Sequence, residues 1–356
     1  MTAPAVPVRP DEDIDRLRPL PWRRAAWVTW RQHRIALAGV AVLLGALAVW
    51  LWRIGMPLHN AYAAAVACHP ASSPACQHLA NAYDASATDN FMGSKGPGGV
   101  LLQLMPALIG AFAGAPVLAR ELETGTFRYA WTQGFGRRRL VLGKLTLLAV
   151  VLAAATTAFG LLVSWYYRPY SGTAGNGHGL YQTSPFGSLF PLREVTFPAW
   201  TLAAFTIGVL AGLLIRRVVP AIVATLAAYA VLAFATAGLL REHYLTPLVT
   251  SAVNLPGTST AWTIGQWWTK NGRFAFAGNP PDSLVNQFCS SSPAPSSKSS
   301  GPSFAPCLAP HGYTQWTSYQ PASRFLPFQW IEGGWLLALA ALLFAVTIWL
   351  VHRRAA

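Results

Sequence analysis

Residues 195–240 read VTFPAWTLAAFTIGVLAGLLIRRVVPAIVATLAAYAVLAFATAGLL. Two apolar runs, Val195–Ile215 and Val219–Leu240, are separated by Arg216, Arg217 and Val218 alone. Each has about 20 residues, the length a helix needs to cross ~30 Å of hydrocarbon. With so short a link, the two helices must fold back on each other as a tight antiparallel hairpin. In lipid, only helices and closed barrels satisfy every backbone amide, and runs of this length select helices. The stretch therefore predicts two membrane crossings with a basic turn between them.

Working outward, four further runs have the same character: Ile35–Trp52, Gly98–Ala119, Leu140–Tyr166 and Ile331–Val351. No run carries a charge near its middle, and Lys144 lies close to one end of the third. The composition agrees. Of 356 residues, 53% are hydrophobic and 11% charged, whereas a soluble domain carries about 25% charged residues. The expected fold is an all-α membrane protein, with a six-helix transmembrane domain over residues 35–351 and spans at about 35–52, 98–119, 140–166, 195–215, 219–240 and 331–351.

Basic residues set the expected sidedness. With the N-terminus inside, 17 Lys and Arg fall on the cytoplasmic side: Arg9, Arg16, Arg18, Arg23, Arg24, Arg31, Arg34, Arg120, Arg128, Arg137, Arg138, Arg139, Lys144, Arg216, Arg217, Arg353 and Arg354. The remaining nine of the 26 fall in much longer outer segments. The positive-inside rule then places both termini in the cytoplasm. The net charge of +14 follows this flanking pattern. It forms no compact basic patch with interleaved aromatics, so nucleic acid is not an expected partner. The first run is preceded by 34 residues that include the acidic cluster Asp11, Glu12, Asp13 and Asp15. It reads as an uncleaved anchor rather than a signal peptide.

Cysteine chemistry selects the same side. Cys68, Cys76, Cys289 and Cys307 all fall in segments assigned outside, residues 53–97 and 241–330, where oxidation is possible. Four cysteines allow three pairings. Pairing within each segment, Cys68–Cys76 and Cys289–Cys307, is the favoured reading, and four free thiols are the alternative.

Residues 1–20 are rich in proline and charge and read as a disordered cytoplasmic tail. Residues 21–34 (PWRRAAWVTWRQHR) place Trp22, Ala26 and Trp30 one turn apart, with the arginines largely elsewhere. That is the pattern of an amphipathic helix lying along the membrane surface. In the long segment 241–330, the Trp-rich piece around Trp262, Trp267 and Trp268 is expected to form short helices dipping into the interface. The low-complexity run 290–303 reads as flexible.

Residues 120–139 join spans two and three: RELETGTFRYAWTQGFGRRR. Arg120, Glu121 and Glu123 end the second span. Thr124, Gly125 and Thr126 suit a turn and a cap. Phe127, Ala130 and Trp131 recur at helical spacing and give a short helix an apolar face, which Gly134 and Gly136 then break. Such a helix reads as a docking element rather than a plain connector.

This loop resembles the permeases of ABC transporters of the type-2 exporter family, particularly those of high-GC Gram-positive bacteria. Glu121, Glu123, Gly125, Thr126, Thr132, Gln133, Arg137 and Lys144 match the family's order of residues, whereas many relatives carry Pro where Gly134 stands. Six spans, an interfacial N-terminal helix and an outer elaboration before the last span fit the same layout. The resemblance implies a plasma-membrane half-transporter, an exporter or efflux subunit. It implies a second permease chain, identical in a homodimer, and two copies of a separate cytoplasmic ATPase that holds ATP and Mg. Glu121, Glu123, Thr124, Gly125, Thr126, Phe127, Trp131, Thr132 and Gln133 would then form the coupling helix and its approach.

The chain itself carries no ATP-binding motif. Gly143, Lys144, Leu145 and Thr146 only echo a Walker A sequence, which needs an earlier glycine and a Ser or Thr directly after the lysine. The eight histidines are scattered, without metal-ligand spacing, so no metal, cofactor or catalytic site is expected in this chain. The lack of an ionisable residue in mid-span disfavours an ion-coupled carrier. Gln103 and Pro106 are pathway candidates, with packing between helices as the alternative, and a mainly apolar wall suits a hydrophobic or amphipathic cargo (a drug, lipid or peptide-like molecule). Glu332 has Arg241 and Arg324 as possible partners, surface solvation being the simpler account. A reading of another class is a non-transporting sensor or scaffold that binds a ligand through its outer segment.

Overall fold

Six helices long and apolar enough to cross a membrane organise the described residues. The structure is a computed structural model and describes residues 22–88, 97–125, 137–171, 180–187, 189–251, 260–289 and 304–353. The long helices are α1 (Trp22–Ala67), α3 (Pro97–Glu123), α4 (Arg137–Ser171), α5 (Thr196–Ile215), α6 (Val218–Ala235) and α9 (Phe325–Arg353). The short helix α2 (Pro74–Thr88) follows α1. The expected disordered tail, 1–20, lies outside the described residues.

The hairpin forms as its sequence predicts. Arg216 adopts a left-handed conformation (φ 60°) and donates its amide to Gly212 O at 3.1 Å, closing α5. Arg217 is extended, and α6 begins at Val218. Pro220 falls in the first turn of α6, where no intrahelical amide partner is lost. Helix α6 runs through a π-turn, Thr236–Leu240, into a 3-10 turn, Arg241–His243.

Helices α3 and α5 form the centre. About two thirds of their most apolar stretches are buried (67% and 61%), against 33% or less in the other four spans. Two GxxxG patterns explain the close contact. A side chain on Gly208 would lie 2.9 Å from Ala115 N and 3.0 Å from Gly110 O. Gly110 and Gly114 face the Ala204–Phe205 backbone just as tightly, and Gly212 abuts Ala115. Small residues let two backbones approach within van der Waals range, the main attraction available between helices in lipid. Helix α6 packs beside both central helices, α9 and α4 pack on α5, and α1 packs outside on α4.

Helix α1 differs from its expected form. It is unbroken for 46 residues, about 70 Å if straight, more than twice the hydrocarbon thickness. The stretch 21–34, expected as a separate surface helix, is from Trp22 onward continuous with the first span. At the other end the helix continues well past Trp52. Leu37, Leu44, Leu51 and Leu58 recur every seven residues, followed by Ala65, and all five are buried. This heptad stripe supplies a seam that outlasts the hydropathy peak. Beyond the span, α2 packs against α1, and Cys68 and Cys76 stand at disulfide distance, Cα–Cα 5.5 Å.

The all-α expectation is corrected by residues 241–330. They hold a four-stranded antiparallel sheet of β1 (Leu248–Ser251), β2 (Trp262–Lys270), β3 (Arg273–Ala277) and β4 (Tyr313–Gln320), in the order β1-β4-β2-β3. The Trp-rich piece is strand β2, not a set of interfacial helices. Asn271 and Gly272 turn β2 into β3 with φ of 51° and 80°, the two left-handed positions that an Asn-Gly hairpin turn requires. Trp268, Leu308 and Tyr313 form a small core with Phe276, Phe288, Cys289 and Cys307. Helices α7 (Asp282–Phe288) and α8 (Ala305–Leu308) lead into and out of the run 290–303, and the Cys289–Cys307 pair brackets it at Cα–Cα 5.4 Å. Phe186, Phe190, Phe325 and Phe328, with Trp262 and Tyr244, seat the sheet on the helices.

Candidate functional site

Helix α3 ends where the loop 120–139 begins. Thr124 donates its amide and its hydroxyl to Arg120 O at 3.1 and 2.8 Å. Gly125 follows with φ 69°, the left-handed residue that commonly stops a helix. Thr124 and Gly125 thus terminate α3. Thr126, Phe127, Trp131, Thr132 and Gln133 lie outside the described residues.

Two carboxylates in the last turns of α3 tie the neighbouring helices together. Lys144 of α4 donates to Glu121 Oε1 at 2.5 Å and to Val117 O at 3.3 Å. The Lys144 side chain is 9% exposed and that of Glu121 29%. The pair therefore lies between an exposed ion pair, worth up to about 1 kcal/mol, and a buried one, whose disruption costs about 3–5 kcal/mol. Gln32 of α1 donates to the same Glu121 oxygen at 3.3 Å. Glu123 Oε2 accepts the amide of Val218 at 3.2 Å. That amide is the first of α6, one of four that a helix leaves without an internal partner, and a carboxylate there also meets the positive end of the helix dipole. Both acids are thus engaged within the chain, and four helices (α1, α3, α4 and α6) meet beside one loop.

The pathway candidates lie on α3. Gln103 is half-buried and Pro106 buried, the latter one turn before Gly110 on the central helix. Several hydroxyls within the spans bond back to their own helices. Thr156, Thr206, Thr225 and Thr236 each reach the carbonyl four residues earlier at 2.6–3.0 Å.

At the other end of the bundle is a polar cluster that surface solvation cannot describe. Glu332 is wholly buried. It accepts from Arg241 Nε and Nη2, both at 2.9 Å, and from Trp200 Nε1 at 2.9 Å. Tyr244 Oη donates to it at 3.4 Å. Burial first, then the Glu332 carboxylate, push the Tyr244 hydroxyl above its ordinary range. Arg241 also lies over the Phe190 ring at 4.5 Å, a cation–π contact. Arg324, the other partner considered, bonds instead to Thr246 O and Gln320 Oε1, both at 2.7 Å. Nearby, Gln329 joins Thr196 to Phe190 O through bonds of 2.9–3.1 Å. The cluster locks the end of α6 to the start of α9, the two stems of the sheet. Its visible signal was a glutamate just inside an apolar run, with an arginine just past the preceding one.

Among the described residues, no group of three or more His, Cys, Asp or Glu side chains could hold a metal ion. Six apolar helices, two of them a glycine-laced central pair, define a multi-pass helical membrane protein. The sequence model of the ABC-2 membrane transporter related family matches residues 41–241, more than half of the 356, and the chain belongs to that family. No curated protein and no solved structure matches it. The family makes the chain a multi-pass plasma-membrane protein and a subunit of a membrane transporter, and it implies an ABC ATPase as partner. The match includes the loop 120–139 and ends at Arg241. The sheet and α9 lie beyond it.

Proposed function

We propose that the chain is the membrane-spanning half of an ATP-driven exporter, coupled through residues 120–139 to a separate ATPase. Both termini and this loop face the cytoplasm, and the disulfide-bearing segments 53–97 and 241–330 face outward. Two permease chains, identical in the simplest assembly, enclose the pathway. Two ATPase subunits bind ATP and Mg and receive the coupling helix around Thr124–Gln133. The cargo is hydrophobic or amphipathic, and Gln103 and Pro106 belong to the pathway wall.

The observation that carries this reading is the convergence of four helices at the loop. Glu121–Lys144 joins α3 to α4, Gln32 adds α1, and Glu123 caps α6. A displacement of the loop by a docked ATPase would reach all four helices through these bonds as well as through the chain. Affinity purification from native membranes in mild detergent tests it. An associated protein carrying a Walker A motif, lost on deleting residues 126–133, is expected. Its consistent absence, even after cross-linking, would overturn the reading.

The four-stranded sheet in segment 241–330 favours one other reading, a non-transporting sensor or scaffold whose outer segment binds a ligand. That reading predicts ligand capture by the chain with no associated ATPase.

A further inference from the structure

We infer that the exposed face of α1 around Trp30 and Arg34 is a binding site for one anionic phospholipid. The 46 residues of α1 contain no Asp or Glu. Near its start, Trp27, Trp30, Arg31 and Arg34 are all exposed on neighbouring turns, and Arg31 lies over the Trp27 ring at 5.3 Å. Among the described residues, Glu121 is the carboxylate hydrogen-bonded to this part of α1, through Gln32, and it is paired with Lys144. Among the described residues no acid pairs with Arg31 or Arg34, so the two guanidiniums present a charge of +2 to the headgroup layer, which attracts an anionic lipid over a zwitterionic one. The indoles suit the same depth.

The surface below the arginines is an open, mainly apolar depression along one helix. A groove of about 400 Å³ is lined, among the described residues, by Trp30, Arg34, Ile35, Leu37, Ala38 and Ala41. Its line continues to Gly45, where a side chain would meet nothing within 4 Å. Ile35, which lines it, and Val42 stand exposed, at 82% and 71%. Arg34 to Gly45 is eleven residues, about 16 Å along a helix, close to half of the ~30 Å hydrocarbon core. A charged head at Arg31 and Arg34 and a floor of small residues one leaflet deep fit a phospholipid in length and in polarity.

The test is native mass spectrometry of the full chain in detergent, titrated with phosphatidylglycerol or phosphatidylcholine. Wild type is expected to retain one phosphatidylglycerol in clear preference to phosphatidylcholine. R31Q/R34Q should weaken the anionic lipid roughly thirtyfold, two surface charges being lost, and leave phosphatidylcholine unchanged. R31K/R34K should keep most of the binding and serves as the control for folding. A41F, which fills the groove floor with both arginines in place, should weaken retention of phosphatidylglycerol. Equal retention of the two lipids by wild type, or undiminished phosphatidylglycerol binding by R31Q/R34Q, overturns the proposal.

Discussion

Arg241 holds Glu332 through two hydrogen bonds of 2.9 Å, Nε to one carboxylate oxygen and Nη2 to the other, and the carboxylate is wholly buried. Removing either member strands the other's charge, which typically costs about 3–5 kcal/mol. E332A and R241A should each lower the thermal midpoint of the detergent-solubilised chain sharply. The double variant E332L/R241M should recover most of the loss, since no lone charge remains. Additive destabilisation in the double variant would contradict a mutually dependent pair.

The glycine seam yields a contrast between positions of one residue type. G208V inserts a branched side chain against Ala115 N and Gly110 O, an overpacking cost of about 1–3 kcal/mol or more. G39A adds a methyl where nothing lies within 4 Å, so helix propensity leaves it neutral or stabilises it by up to ~1 kcal/mol. Thermal unfolding of the two variants should move in opposite directions or leave G39A unchanged.

The six spans and the within-segment proximity of the cysteines were legible because each depends on local chemistry. Length and hydropathy mark a span, and two cysteines 8 or 18 residues apart within one segment meet easily. The extension of α1 was hidden because hydropathy falls after Trp52, while the seven-residue spacing through Leu58 to Ala65 carries on. The sheet did have a local signal in Asn271-Gly272, and the tryptophans beside it were assigned instead to the membrane interface. Arg241 was legible as a possible partner of Glu332, but the burial of the pair and the bond from Trp200, 132 residues away, depend on how the helices pack. At the loop, Glu121 and Glu123 were legible as candidates, but their bonds to Lys144 and Val218 depend on how the helices pack.

Cys289 and Cys307 stand at disulfide distance across a separation of 18 residues, and a bridge closing a loop of that length would restrict the unfolded chain by about 3 kcal/mol. C289S/C307S should expose residues 290–303 to limited proteolysis and leave the helices protected. If the sheet faces outward, a membrane-impermeant maleimide added to reduced intact cells should label Cys289 and Cys307. Labelling confined to permeabilised cells would reverse the proposed sidedness.

Lys144 joins α4 to α3 beside the loop through a partly exposed pair, so K144M should destabilise modestly, by about 1–3 kcal/mol. Its larger expected effect is on coupling. Stimulated ATP hydrolysis by the assembled transporter should fall, and the swap E121K/K144E should restore part of it. An unchanged hydrolysis rate in K144M would remove the pair from the coupling route.

The most direct measurement is ATP hydrolysis by the chain and its ATPase, co-reconstituted in liposomes and challenged with a panel of lipids and hydrophobic drugs. Wild type is compared with E123A/W131A at matched levels of inserted protein. The account predicts that members of the panel stimulate hydrolysis by the wild-type complex and fail to stimulate the double variant. Equal stimulation of both would contradict coupling through residues 120–139.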